Sequence, residues 1–276
     1  MTETPPDAAR PDDADRQPDA DRAARLRAQA LDAPTISEAE YRTKSRRALL
    51  VGAGSTIAAL FGWRWLRTGP TDDGIPTLLR KNHEAAESVW RSLFNPDATA
   101  PTFPVSASAM PRANGGVGLR SPIDLDAWAM RVLGPDGEEI DRVGLDAIKA
   151  LPKVEMTTEL KCIEGWSQVV HWGGARFSDF AARYPGMAER AYVGLATPDA
   201  EYTVGMDMAS MLHPQTLLCY EMQGAPLTIP HGAPLRLVTP LKYGVKHLKR
   251  IGFLRFMDAR PQDFWAERGY DWYIGH

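Results

Sequence analysis

The residues best placed to do chemistry in this 276-residue chain are a thiol and a distant group of cations. Cys162 lies in Glu159-Leu160-Lys161-Cys162-Ile163-Glu164-Gly165-Trp166-Ser167, where a strand-like run gives way to a Gly-containing turn, so its side chain can face a cleft. As a thiolate it can ligate a metal or attack an electrophile, with His171 nine residues on as a base; as a thiol it can sit inert in a core. The second cluster starts at His231-Gly232-Ala233-Pro234-Leu235-Arg236 and continues through Lys242-Tyr243-Gly244-Val245-Lys246-His247-Leu248-Lys249-Arg250. From Arg236 to Arg250 there are five Lys or Arg, one His and no acid. Such an excess fits an anionic ligand, which Arg grips as a fork and Lys as a point charge, or else a solvated basic face. A third segment, Pro111-Arg112-Ala113-Asn114-Gly115-Gly116-Val117-Gly118, has glycines that permit close backbone approach, but lacks the lysine of a phosphate-binding P-loop.

Composition excludes other chemistries. Thirty-two Lys and Arg against 35 Asp and Glu leave a net charge of −3, so no global basic field holds nucleic acid. Two cysteines make neither a disulfide framework nor a four-thiolate zinc site, although a Cys162–Cys219 bridge stays open. Cys219, in Leu217-Leu218-Cys219-Tyr220, reads as a packed core thiol. His83, Glu84 and Glu87 lack the second histidine of a zinc helix. Trp166, Trp172 and Tyr243 are candidates for lining a site or for packing beside one.

The elements that must position these residues read as a mixed α+β domain. Residues 77–94 carry Leu78, Leu79, Ala85, Ala86, Val89 and Leu93 at helical spacing and predict a surface helix. Trp128–Leu133, Gly134-Pro135-Asp136-Gly137 and Ile140–Val143 predict a hairpin, followed by a short helix over 145–151. Strands are expected over 154–163, 192–195, 201–204, 216–222, 235–240 and 251–256, with no internal repeat.

The first 44 residues read as a disordered acidic tail: residues 1–40 hold ten acids, five arginines, five prolines and no aromatic. Arg42, Lys44, Arg46 and Arg47 then precede sixteen uncharged residues, Ala48–Trp63, closed by Arg64 and Arg67. About 20 residues usually span a bilayer, but Arg64 can snorkel, and Trp63 and Trp65 suit an interface. Residues 45–67 are therefore expected to be a membrane anchor with a cytoplasmic N-terminus, or an export segment, because Ser45-Arg46-Arg47-Ala48-Leu49-Leu50 resembles a twin-arginine signal. A buried helix is the competing reading.

Leu-Lys-Cys-x-x-Gly-Trp-Ser at 160–167, His-Gly-x-Pro-Leu-Arg at 231–236 and Lys-Tyr-Gly-x-Lys-x-x-Lys at 242–249, in this order and separation, resemble the sulfite-oxidase family of molybdopterin-dependent oxidoreductases over about 75–272. The size and export-like N-terminus are most similar to the bacterial protein-methionine-sulfoxide reductase catalytic subunits. The resemblance implies the mixed-sheet molybdopterin-binding fold, with Cys162 as thiolate ligand of molybdenum. It also implies that Asn114, Val117, Gly118, Thr197, His231, Arg236, His247 and Lys249 hold the pterin and its phosphate. His231 stands where the most similar reductases carry Asn and sulfite oxidases accept His. Arg112 is the candidate for a substrate anion.

The implied reaction exchanges an oxygen atom between molybdenum and substrate, either reducing an S-oxide, free or protein-bound, or oxidising a small oxyanion such as sulfite. No Cys-x-x-Cys-His haem attachment is present, so electrons are expected to pass to or from a separate membrane haem protein or cytochrome. The domain is expected in the periplasm, anchored or exported. Two other readings stand beside this one: an inactive membrane-tethered binding protein on the same scaffold, and a Cys162/His171 nucleophilic hydrolase.

Overall fold

Ser37 starts the first long helix, and a computed structural model, which describes residues 22–26, 37–72, 75–95 and 97–275, shows how. The Ser37 hydroxyl accepts from the Glu40 N–H at 3.3 Å, and α1 runs Glu38–Thr68 until Gly69-Pro70 stops it. Ion pairs Glu38–Arg42 (3.1 Å) and Glu40–Lys44 (3.0 Å), one turn apart, carry the helix through residues 38–44, which the sequence reading had given to the tail. Of the remaining tail, 22–26 are helical, and 1–21 and 27–36 lie outside the described residues. None of the α1 side chains is buried, and by length and composition α1 is long and apolar enough to cross a membrane.

The chain divides at Trp65/Leu66, and the second unit is built on two sheets. It opens with a two-residue ribbon, β1 (Thr71–Asp72) and β2 (Ile75–Pro76), and helix α2 (Thr77–Leu93). One sheet contains β5 (Lys153–Lys161), β6 (Ser167–Arg176), β9 (Leu217–Met222) and β10 (Ala225–Pro226) in the order β10-β9-β6-β5, with β11 (Arg236–Val238) also on β9 and every pairing antiparallel. The other has the order β4-β3-β12-β7-β8, from β3 (Ala129–Leu133), β4 (Glu139–Gly144), β7 (Tyr192–Ala196), β8 (Thr203–Asp207) and β12 (Phe253–Met257). Its one parallel pairing is β12 with β3, which makes this sheet mixed. Single-turn helices α3 (Leu145–Lys149), α4 (Phe177–Ala181) and α5 (Met208–Leu212) follow β4, β6 and β8.

Alternation along the strands decides where the core sits. Met130, Val132, Val193, Leu195, Leu254 and Phe256 from one sheet meet Ala175, Leu218, Tyr220 and Leu237 from the other in one buried cluster. The opposite face of the β9 sheet buries Trp172, Cys219 and Val238 in a second cluster. Gly174 lets β6 and β9 approach: a Cβ there would collide with the backbone of Leu218 and Cys219, at the point where the register shifts.

Candidate active site

The β5–β6 ladder closes at Lys161 opposite Ser167, and Cys162 is the first residue past it. Its N–H donates to the Trp166 carbonyl at 2.9 Å, and the Gly165 N–H donates back to the Cys162 carbonyl at 3.1 Å. Gly165 takes φ +85°, so the loop is tight and the half-buried thiol sits at the end of the sheet rather than on a face. A cavity of about 370 Å³ opens there, with Cys162 in its wall.

The glycine-rich loop supplies a second wall. Asn114 reaches the sulfur with its amide Nδ2 3.9 Å from Sγ, and the same amide donates to Glu164 at 3.1 Å. Glu164 also accepts from Arg112 at 2.7 Å and from the Trp166 indole N–H at 3.0 Å, while the Arg112 guanidinium stacks 4.6 Å from the Trp166 ring centre. The indole bond, then the Arg112 charge and the Asn114 amide, hold the Glu164 carboxyl below its usual range. Arg112 is thus paired with a carboxylate at the cavity mouth.

The third wall is cationic. Arg236, on β11, is 3 % exposed and donates to the carbonyls of His231 (3.1 Å) and His247 (3.4 Å), with its guanidinium 5.1 Å from the Trp172 ring centre. Its buried Nε has no hydrogen-bond partner, and among the described residues no carboxylate pairs with it. Burial pushes this group down to about 10, so it stays charged at neutral pH. Lys249 donates to the carbonyls of Asn114 (2.5 Å) and Pro230 (3.0 Å); burial, then Arg236, push it down to about 8. His231 is lowered by burial and by the same two cations, which favours its neutral form. His247 Nε2 faces the Thr239 carbonyl at 2.9 Å, an acceptor only, so that nitrogen carries the proton.

A buried guanidinium and a half-buried ammonium facing one cavity, with no carboxylate paired to either among the described residues, suit an anionic ligand. Among the described residues no three His, Cys, Asp or Glu are grouped to hold a metal ion. A metal beside Cys162 would take its other ligands from a bound group, as the dithiolene of a pterin provides. The residues present therefore fit an anionic pterin cofactor that carries its own metal ligands.

Arg112, Asn114, Val117, Cys162, His231, Arg236, His247 and Lys249 all line this cavity. Gly118 and Thr197 lie together outside the lining: Thr197 is buried, and a Cβ on Gly118 (φ +73°) would collide with its side chain. The basic run does not converge as a whole. Lys246 donates to Asp263 (2.6 Å) and to the Gly205 carbonyl (2.9 Å), and Lys242 lies 3.6 Å from Asp207 and against the Tyr273 ring. Arg250 donates to the carbonyls of Leu119 (3.2 Å) and Ser121 (2.9 Å), which ties down the far end of the loop that Lys249 holds at Asn114.

Two readings are corrected. His171 cannot serve Cys162 as a base: it pairs with Thr157, five positions down the ladder, and its Nδ1 is bonded to Thr157 Oγ1 at 2.9 Å. At about 3.4 Å per residue this separates it from the thiol by roughly 17 Å. The Cys162–Cys219 bridge does not form; both thiols are free, and Cys219 is buried in the second cluster with burial raising it to about 12. Trp166 lines the cavity, Trp172 is fully buried beneath Arg236, and Tyr243 is not in the lining.

The sequence reading missed Glu164, although it adjoins Cys162, and also Tyr202, Trp265 and Tyr270 of the lining. The Tyr202 hydroxyl donates to the Val245 carbonyl (2.7 Å) and accepts from the Trp265 indole (2.9 Å), and burial raises it well above the usual phenol range. These aromatic residues come from distant loops without a shared motif, so only the fold brings them together.

Residues 118–265 match the family model described as the oxidoreductase molybdopterin binding domain. The chain is 35 % identical over 207 residues to a protein of Azospira oryzae provisionally named a protein-methionine-sulfoxide reductase subunit, YedZ1, covering 74 % of this chain and 78 % of that one. It is 33 % identical over 160 residues to the protein-methionine-sulfoxide reductase catalytic subunit MsrP of Xanthomonas axonopodis pv. citri, covering 52 % of this chain and 49 % of that one, so the match spans about half the length of that relative. Among solved structures, the sulfane dehydrogenase SoxCD of Paracoccus pantotrophus is a partial likeness, with a TM-score of 0.45 and 15 % identity over 51 % of this chain and 40 % of that one.

Proposed function

The chain belongs to the molybdopterin-binding oxidoreductases of the sulfite-oxidase family, and from that premise we propose that it reduces an S-oxide, such as a methionine sulfoxide, in the cavity beside Cys162. The observation that carries the reading is the meeting of this thiol, in one cavity, with buried Arg236 and half-buried Lys249, neither of them paired with a carboxylate among the described residues. Cys162 would bind molybdenum as a thiolate. Arg236 and Lys249, with His231 and His247, would take the pterin phosphate, and Asn114, Val117 and Gly118, backed by Thr197, would take the pterin. When bound, the cofactor supplies oxygen-atom transfer, and the protein supplies orientation, dryness and electrostatics.

Each wall has a definable task. The hairpin tip fixes the sulfur; the Asn114 amide, held by Glu164, presents an N–H towards it. Tyr202 and Trp265, bonded to one another, help exclude water from the opposite side. Glu164 neutralises Arg112 at the mouth, so that Arg112 is not a bare cation for an anionic substrate, and this supports a neutral S-oxide over sulfite. The names of the relatives support the same direction. We assign electron supply to a separate haem protein, and α1 to anchoring or exporting the domain towards the periplasm.

The test uses full-length protein from a molybdopterin-competent host, with metal analysis and assays on methionine sulfoxide and on sulfite with an artificial electron carrier. We expect about one molybdenum per chain and S-oxide turnover, both lost in Cys162→Ser. Undiminished metal and turnover in that variant would sink the assignment. Glu164→Gln should raise activity with sulfite relative to sulfoxide; an unchanged ratio would remove Glu164 from substrate selection.

A further inference from the structure

Helix α2 faces the wrong way for an ordinary surface helix, which turns its apolar stripe inward. Its buried side chains are Arg80 and Glu87, whereas Leu79, Trp90 and Leu93 are 40 %, 54 % and 67 % exposed. Residues 79, 86, 90 and 93 recur at helical spacing and form one outward stripe. The inward side is held by polar contacts. Arg80 donates to the Ala266 carbonyl (2.9 Å), Arg91 donates to the Tyr192 hydroxyl (3.1 Å) and pairs with Glu87 (2.8 Å), and Glu87 also faces Arg260 at 3.6 Å. The helix is thus fixed to its domain by charge, with its apolar stripe left exposed among the described residues.

Chain length says what the start of α2 can reach. The Thr77 N–H and hydroxyl both donate to the Pro70 carbonyl (3.0 and 2.7 Å), so the β1–β2 ribbon returns the start of α2 to a residue only two past the end of α1. From Trp63, which closes the uncharged run, five helical residues rise about 8 Å. Two extended residues then add at most about 7 Å. The chain joining the end of the apolar run to Pro70 is therefore no longer than about 15 Å, a tether short enough to keep the start of α2 close to a bilayer that α1 crosses.

We propose that α2 lies flat on the bilayer that α1 crosses, with Leu79, Trp90 and Leu93 in the headgroup layer and Arg80, Glu87 and Arg91 against the catalytic domain. A tryptophan and aliphatic side chains on one face, with charge on the other, are the make-up of an in-plane interfacial helix. The inference rests on the anchor reading of α1 and fixes which surface of the domain meets the lipid.

The test places the photo-crosslinker p-benzoylphenylalanine in the full-length chain, reconstituted in phosphatidylethanolamine–phosphatidylglycerol vesicles. Leu93→p-benzoylphenylalanine, on the stripe, is compared with Lys81→p-benzoylphenylalanine, exposed on another side of the helix. Both sites are exposed, and molybdenum content reports that each variant is folded. We expect lipid adducts several-fold more abundant at position 93. Crosslinks at 93 to a second copy or to another protein, or no lipid adduct in carbonate-resistant vesicles, would overturn the interfacial placement while leaving the anchor intact. Release of the unmodified chain by carbonate would overturn the anchor and this placement together.

Discussion

Lys249 gives the cavity a pH dependence whose sign can be worked out. Burial and the neighbouring Arg236 push its ammonium down to about 8, so without an anion it sheds its proton as pH rises past that value. A bound phosphate would restore the charge and raise the value again, so binding takes up a proton above about pH 8. Cofactor affinity should be flat below that pH and fall above it, by up to about tenfold per pH unit. Pterin retention after gel filtration across this range measures it. Lys249→Arg should flatten the profile, and a fall that persists in the arginine variant would assign the titration to another group. The contrast with Lys246 shows why sequence could not rank these lysines: both lie in one basic run, yet Lys246 is paired with Asp263 inside the fold.

At the scale of elements, most strands were legible and the most important one was not. The alternation at 128–133 and 140–143 and the apolar runs at 192–195, 216–222 and 251–256 all became strands, because a half-buried pleated surface leaves a period of two in the sequence. β6, which turns Cys162 into a hairpin-tip residue, was hidden by its Gly173-Gly174 pair, which reads as a breaker. The cause is three-dimensional, since Gly174 is required by the close passage of β9. The Arg112–Glu164–Trp166 clasp was hidden for the same kind of reason, since it joins residues 52 apart.

One glycine in the turn after His231 is exacting. Gly232 has φ +97°, and a Cβ there would lie 2.7 Å from Lys249 Cβ and 2.9 Å from the Arg250 nitrogen. Gly232→Ala should cost about 1–3 kcal/mol and displace Lys249, lowering both the thermal midpoint and the molybdenum content. Gly165→Ala is the control: its φ is also positive, but a Cβ meets nothing within 4 Å, so its cost should be limited to about 1 kcal/mol. Equal losses in the two variants would remove the close approach as the cause.

On the scale of the whole molecule, the two sheets share one core, and the cavity opens where the tip of one hairpin meets loops from both. The α+β class and the motif order were legible because burial and site chemistry each leave local marks. The outward stripe of α2 was not. Its apolar spacing predicted a surface helix correctly but did not tell which face turns inward, because Arg80, Glu87 and Arg91 find partners at Ala266, Tyr192 and Arg260 that no local pattern announces.

That reversed helix also determines where the protein can be shortened. A form beginning at Gly69 would keep every clamp of α2 on its neighbours, yet would carry Trp90 and Leu93 bare into solution and should self-associate, visibly on sedimentation, until detergent masks them. A form beginning at Asn95 would be free of that stickiness but would uncover Tyr192 and Trp272, over whose rings Arg91 sits at 5.1 and 5.7 Å, and should melt at a lower temperature. Solubility and stability therefore pull the choice of first residue in opposite directions.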